Sequence, residues 1–543
     1  VRMLVYLADL SACLGSAGRP VTSVQALSSL LFGGGSSPSA PSLAAHLASC
    51  SSGAATLDLG ASRVLPVVLP CSGTSTWTDA PWNTASCSSD NVFGWMEAAT
   101  RAASAVVGDP TTYQQHVLVL PPGLSASPST GCSWAGLSTV GPVVLASGAR
   151  MGLVWVEAGS WADLKVYMHE LGHTAGFQHA NAANQCDTCD PHSTLGAWGS
   201  GALRCYNAPQ QWALGWAAEQ ATGPIDLSMA GLSALMPGRT LALTLPAAAA
   251  GPPSQPPVLR ITLSPSQPSL FISFRANNVS SLYDTYIDVY TQAWLGTQPG
   301  YVPPRPGSPP RPWPNTGGLD AQGTALPLSA AMLARLAPSS SSTTALTWAL
   351  AVHSWAQSPL EDLDPNYNPN PTVLQGLVQR EGGVWYTPLF SGPGAGQTLV
   401  VRLLSASRVG ASISVCVTQV TSESGAGMCS DGLDNDCDGL TDAADPQCSA
   451  VASATTQAAT QSAARPLATV QTQTSAAAPV QTAAAEQEAV VPAVATSSTA
   501  SQAGTLHWVA AASKVNSLED GWGVDPALPL PRLSTCRDHD DRR

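Results

Sequence analysis

Between Val166 and Ala180 the chain reads VYMHELGHTAGFQHA, where three histidines, a glutamate and a glycine stand at intervals that suit one metal ion. His169, Glu170, His173, Gly176 and His179 occupy every fixed position of H-E-x-x-H-x-x-G-x-x-H. On an α-helix, residues i and i+4 project from one face, so His169 and His173 can aim ring nitrogens at the same Zn²⁺. Glu170 then lies beside the metal, where a carboxylate can take a proton from water and pass it to a leaving amine. The helix must stop and turn for a third ligand to come round. Gly176 can take positive φ at low cost, and His179 completes a three-histidine set with one position open. The chemistry implied is zinc-dependent hydrolysis with Glu170 as general base, and five fixed positions are far more restrictive than a bare HExxH.

A second cluster begins at Asp434, in DNDCDGLTDAAD. Asp434, Asp436 and Asp438 fall at the first, third and fifth places of a twelve-residue calcium loop, with Gly439 sixth, Asp442 ninth and Asp445 twelfth. Leu440, at the seventh, would offer its backbone carbonyl. Cys429, Cys437 and Cys448 bracket the loop and Pro446 follows at once, so the helix pair of an EF-hand has no room and a structural calcium is expected instead. The plainer alternative is a solvated acidic turn. Cys186 and Cys189 form a C-x-x-C, but without a second pair or a βαβ context they read as disulfide partners of other cysteines.

The elements that must position the histidines are legible around them. Ser160 followed by Asp163 resembles a capping box, and Trp161, Leu164, Met168 and Leu171 recur at helical spacing as a core stripe opposite the His169/His173 face. Just before them GLVWVEAG reads as a strand, expected to be the sheet edge on which an extended substrate adds itself. Across residues 1–225, apolar runs such as LVYLADL, RVLPVVLP and HVLVLPP alternate with turns and helical windows, which predicts an α+β catalytic domain. From 226 to 420 alternating segments such as LALTLPA, VLRITL and TLVVRLL predict an all-β, sandwich-like domain, interrupted by Pro-dense stretches such as QPGYVPPRPGSPPRPWPNTGG. Residues 421–449 are the Cys/Asp-rich module. The Ala/Ser/Thr/Gln tract that dominates 450–543 has too few large apolar residues to offset its ordering entropy, so that stretch reads as a largely disordered tail.

Composition narrows the function class. The 543 residues carry 22 Lys and Arg against 35 Asp and Glu, a net charge of −13, which argues against a nucleic-acid partner. No apolar run is long enough for a membrane span. Thirteen cysteines fall as eight in the first 205 residues, four between 416 and 448, and Cys536. Even counts within each block suggest disulfides formed inside domains, hence a secreted protein. The acceptor triplet Asn278-Val279-Ser280 agrees with that. The opening VRMLVYLADLSACLG reads as a strand and turn, so neither signal peptide nor propeptide is visible in this chain.

The histidine motif, the DPHSTLG that follows it and CYNAPQQWALGW from Cys205 to Trp216 together resemble the gametolysin family of metzincin zinc endopeptidases, the algal cell-wall lytic type. LVYLADLSAC near the start, LPCSG at 69–73 and CSWAGLSTVG at 132–141 are also similar to that family. The likeness is strongest over 1–220 and reaches about 420 through FISFRANN and LYDTYIDVY. It implies a metzincin-like α+β domain with a twisted mixed sheet and an active-site helix, His169, His173 and His179 as zinc ligands, and Glu170 as general base. It also implies a secreted enzyme, made with an inhibitory propeptide, that cuts Pro/Hyp-rich glycoproteins of a cell wall or extracellular matrix. The acidic module is similar to the Cys-flanked repeats of thrombospondin type 3.

Metzincins carry a methionine in a tight turn beneath the zinc, and the matching position here is Leu195 in HSTLG. Leucine fills a floor of similar volume, at a cost under about 1.5 kcal/mol. Tyr206 and His192 are the nearest candidates for stabilising an oxyanion, with purely structural roles as the alternative. A different class stays open as well: a catalytically inactive metzincin-like matrix or adhesion protein, in which the β-rich segment and the calcium module do the work by binding.

Overall fold

The strand Met3–Asp9 (β1) is apolar at nearly every position because both of its faces are covered. Met3, Val5 and Leu7 enter one core while Leu4, Tyr6 and Ala8 enter another. In this computed structural model the described residues are 1–34, 41–125, 132, 134–145, 148–182, 190, 192–196, 203–216, 225–228, 237–247, 258–262, 268–276, 348–355, 371–378, 381–388, 397–420, 422–423, 427–448 and 533–536. Asn278, the Pro-dense stretch, LYDTYIDVY, the C-x-x-C at 186–189 and most of the tail lie outside them.

Arg63–Val68 (β2) and Gln115–Val119 (β3) flank β1 in parallel, and Arg150–Val156 pairs in parallel with β3. Gly136–Thr139 (β4) runs antiparallel beside Arg150–Val156 (β5). The sheet order is therefore β4, β5, β3, β1, β2, with the strand Leu533–Cys536 antiparallel along the outer side of β4. GLVWVEAG, expected at a sheet edge, supplies most of β5 and is interior. Its VWV core needs cover on both faces, and β4, itself buried, stands between it and the outer strand Leu533–Cys536.

Helices cover the two faces. Val24–Phe32 (α1) and Leu43–Cys50 (α2) are capped by Ser23 and Ser42, whose hydroxyls accept from the amides of Ala26 and Ala45. On the other face Ser89–Val107 (α3) presents Val92, Trp95, Met96, Ala99 and Ala103, the spacing of one helical stripe. The motif helix, Leu164–Thr174 (α4), packs against the same core as α1 and α2 through Leu164, Met168 and Leu171, with Trp161 half-buried beside them. Its N-cap is Asp163, which accepts from the amide of Lys165 at 2.9 Å. The Ser160 capping box does not form: the Ser160 hydroxyl donates to Glu157 at 3.2 Å, and a 3₁₀ turn over Ala158–Ser160 precedes the helix.

Beyond α4 the chain builds two further sheets. One has the order Ile225–Ser228, Val258–Thr262, Ser269–Ala276, Trp348–Trp355, Thr372–Val378, and, at its far edge, Ala180–Ala182, which follows directly on His179. In chain order Ala180–Ala182 is β6, Ile225–Ser228 is β7, Leu241–Pro246 is β8, Val258–Thr262 is β9, Ser269–Ala276 is β10, Trp348–Trp355 is β11 and Thr372–Val378 is β12. The other sheet joins β8 to Gly410–Thr418, Thr398–Ala406 and Val384–Pro388, all antiparallel. Leu270, Ile272 and Phe274 of β10 turn toward this last sheet, whereas Phe271 joins the core beneath α4. The period-two alternation of one strand thus serves two cores.

Residues 1–419 and 506–543 form one compact unit, and 420–505 a second. Disulfides Cys13–Cys71, Cys50–Cys205 and Cys87–Cys132 pair inside the first block of cysteines, and Cys429–Cys448 closes the acidic module. No helix among the described residues is long and apolar enough to cross a membrane.

Candidate active site

The helix α4 carries His169 and His173 on one face, and a reversal at its C-terminus returns His179 to them. Gly176 makes that reversal with φ of 97°, its amide donating to the carbonyl of His173 at 2.8 Å while the amide of Phe177 donates to Gly172 at 3.2 Å. The three imidazoles close on one point: ring centroids lie 4.7 Å apart for His169 and His173, 4.9 Å for His173 and His179, and 5.3 Å for His169 and His179. One ligand nitrogen from each lies within 4.8 Å of the others.

The outer nitrogens of the first two rings are tied to backbone. His169 Nδ1 lies 2.8 Å from the carbonyl of Thr194, and His173 Nδ1 lies 2.7 Å from that of Phe177. A carbonyl can only accept, so each Nδ1 carries the proton and each Nε2 presents a lone pair toward the shared point. Burial, then the neighbouring His173 and His179, holds the pKa of His169 well below the ordinary histidine value, which keeps it a neutral donor.

Glu170 is wholly buried beside this cluster. Its Oε2 accepts from the hydroxyl of Ser138 at 2.5 Å, so β4 holds the carboxylate from the side opposite the helix. The fit there is close: a Cβ at Gly136, two residues along β4, would sit 2.5 Å from Glu170 Oε1. Ser138 was not singled out by its spacing, because a serine in an apolar strand has no local signature of what it faces.

The floor under α4 is Leu195, fully buried, with Tyr206 beside it. A Cβ at Gly172 would lie 2.8 Å from Tyr206 Cε1 and 2.9 Å from Leu195 Cδ1, so the helix rests directly on these two side chains. The Tyr206 hydroxyl donates to the Met168 carbonyl at 2.7 Å. Burial, followed by the charge of Glu170, pushes its pKa far above the ordinary tyrosine value. That bond places the hydroxyl on the helix backbone rather than at a reacting carbonyl. His192 faces Asp190 at 3.3 Å, and burial lowers its pKa to about 4.

Residues 2–291, more than half of the chain, match the family model for gametolysin peptidase M11. The chain belongs to that family. No curated protein matches it. As an M11 peptidase it acts on protein substrates, and the matched span contains the whole histidine cluster, Glu170, Ser138 and Leu195.

In the acidic module the structure brings Asp434, Asp436 and Asp438 together, with ligand oxygens within 4.8 Å of one another. Asp442 stands apart from them, gathered with Asp431 and Glu423, and Asp445 lies with Glu423 and Cys448. Leu440 is part-exposed, its amide donating to Asp438 at 2.8 Å. Burial, then the charges of Asp438 and Asp436, raises the pKa of Asp434.

Proposed function

We propose that this M11 peptidase is a secreted zinc endopeptidase of metzincin type that cuts Pro/Hyp-rich glycoproteins of a cell wall or extracellular matrix. The observation that carries the reading is the convergence of three imidazole nitrogens beside a buried carboxylate. An all-imidazole donor set of three, with no thiolate and with the outer nitrogens of His169 and His173 fixed by carbonyls, fits catalytic zinc and leaves one position open. When bound, zinc supplies Lewis acidity, polarising a peptide carbonyl and making water a better acid.

The remaining steps belong to the chain. Glu170 accepts a proton from the attacking water and returns it to the leaving amine, so it must change protonation twice in one turnover. Ser138 keeps Oε2 of the carboxylate oriented for that exchange. An extended substrate pairs antiparallel with β4, the strand that reaches Glu170 through Ser138, on the side where Leu533–Cys536 now lies, and main-chain bonds there recognise any sequence in extended conformation. Proline-rich peptides enter such a groove already extended, which reduces their ordering cost. Disulfides inside the catalytic unit favour an oxidising compartment, in keeping with secretion. Asp434, Asp436 and Asp438 hold a structural calcium in the second unit, in this reading, with Asp442 and Asp445 outside its first group of ligands.

The test is cleavage of gelatin or a Pro-rich glycoprotein by purified protein, beside Glu170→Gln and a chelated sample with zinc restored. Wild type should cut, chelation should stop it and zinc should return it, while Glu170→Gln keeps its zinc and loses at least a hundredfold in rate. A wild type that holds zinc and cuts nothing would refute the enzyme and leave the matrix protein.

A further inference from the structure

Two of the three histidines depend on one short loop. The carbonyl that fixes His169 belongs to Thr194, and Ala180, the residue after His179, is held between the two ends of the same loop. Its amide donates to Leu195 at 2.9 Å and its carbonyl accepts from Asp190 at 3.0 Å. Whatever fixes residues 190–195 therefore fixes the orientation of His169 and the return path of His179.

Ser193 and Thr194 are tied to Gln210 and Cys205, and the end of the loop nearer the second sheet is held by the carboxylate of Asp190, wholly buried. Its Oδ1 accepts from the amide of His192 at 2.8 Å, and its Oδ2 accepts from Asn207 Nδ2 at 2.9 Å and from His353 Nε2 at 3.0 Å. The second hydrogen of Asn207 Nδ2 goes to the hydroxyl of Thr372 at 2.6 Å. Burial alone would raise the pKa of Asp190, but His353 and His192 together hold it well below the usual carboxylate range. A buried carboxylate that loses such a donor is left with an undercompensated charge, which the surrounding loop must shift to relieve.

His353 lies on β11 and Thr372 opens β12, neighbouring strands of the second sheet. Thr372 also stands opposite Ala180 in the parallel pairing of β12 with β6. Both residues are more than 160 positions along the chain from their partners, and both lie beyond the span that matches the family model.

We propose that the second sheet is part of the metal centre: His353 and Thr372 are positioning residues that hold Asp190 and, through it, the loop that aims His169 and His179. The inference rests on the reading of the histidines as zinc ligands. It assigns the β-rich segment a role inside the catalytic apparatus, separate from any binding of its own.

The experiment compares full-length wild type, His353→Ala, His353→Gln and Thr372→Val, using zinc affinity by chelator competition and the visible absorption of the cobalt-substituted proteins. His353→Ala should bind zinc at least tenfold more weakly and shift the cobalt bands, as loss of an outer partner does in metal sites. His353→Gln, which keeps a donor, should return to within about threefold of wild type, and Thr372→Val should lose about threefold. If His353→Ala lowers thermal stability but leaves zinc affinity and cobalt spectrum at wild-type values, the clamp is structural alone and the inference falls. Should His353→Ala fail to fold, Thr372→Val decides: an unchanged affinity and spectrum overturn the inference equally. A wild type that binds no zinc removes the underlying reading and this inference with it, whereas zinc-loaded, active variants identical to wild type remove only the positioning role.

Discussion

Replacing Gly172 by alanine sets two effects of known size against each other. In a helix interior alanine is favoured over glycine by about 1 kcal/mol, so propensity alone makes Gly172→Ala stabilising. The added methyl, however, would stand 2.8 Å from Tyr206 Cε1 and 2.9 Å from Leu195 Cδ1, against the 3.5–4.0 Å at which carbon atoms pack. Neither neighbour can give way easily: both are buried, and Tyr206 is bonded to the Met168 carbonyl of the same helix. Overpacking of this kind costs about 1–3 kcal/mol, which cancels or exceeds the propensity gain. Relief comes from lifting α4 by up to about 1 Å, and that carries His169 and His173 with it. A displacement of that size at a catalytic centre costs about a hundredfold in rate. We expect kcat/KM on a peptide substrate to fall by about that factor, with the melting temperature level or lower. Leu195→Val removes the nearer methyls, so the double variant should show a coupling of at least about 1 kcal/mol in a double-mutant cycle on stability. A Gly172→Ala protein that is more stable than wild type and equally active would refute the placement of α4 on this floor.

Other consequences can be measured in the same preparations. Ser138→Ala removes a hydrogen bond to a charged carboxylate, worth about 1.5–3 kcal/mol, so kcat should drop about 10- to 100-fold with zinc content unchanged; an unaltered kcat would mean that Ser138 does not orient Glu170. His116 is buried with its pKa lowered to about 4, so as pH falls below 6.5 the unfolded chain takes up a proton that the native state refuses. Stability is present above 6.5 and is lost toward 4, by about 2 kcal/mol between pH 7.5 and 5 from this group, and urea unfolding of wild type against His116→Gln should show the slope flatten in the variant. The strand Leu533–Cys536 takes the outer side of β4 that an extended substrate would need. Of two consecutive residues in an antiparallel strand only one amide faces the partner, so Ser534→Pro combined with Thr535→Pro removes that one ladder bond; kcat/KM on small peptides should rise, and no change would show that the strand does not compete with substrate.

The clustering of the site's histidines was legible because it is written in local spacing. His169, His173, Glu170 and Gly176 need only a helix and its end, and helix geometry follows from the chain within a few residues. Apolar runs likewise announced β1, β3 and β5, since strands buried on both faces must be apolar throughout. The paired counts of cysteine anticipated disulfides within the first block, though not which residues join. Spacing failed where a residue's role depends on what stands across a sheet. β5 has the composition of any buried strand, so nothing local said that β4 and Leu533–Cys536 would stand between it and the sheet edge. The Ser160 box gave way to Asp163 because a 3₁₀ turn intervened, a choice made by packing.

What the sequence by itself determined is therefore the identity and order of the chemical groups: three histidines, a carboxylate, a glycine to turn the chain, and a Cys-flanked run of acidic residues. What only the tertiary structure decided is their support. Ser138, Asp190, Asn207, His353 and Thr372 are ordinary polar residues in the linear text, and they acquire meaning because folding buries them against one another over separations of up to 165 residues. Burial makes each hydrogen bond obligatory, and an obligatory bond between distant segments is what no window along the chain can contain.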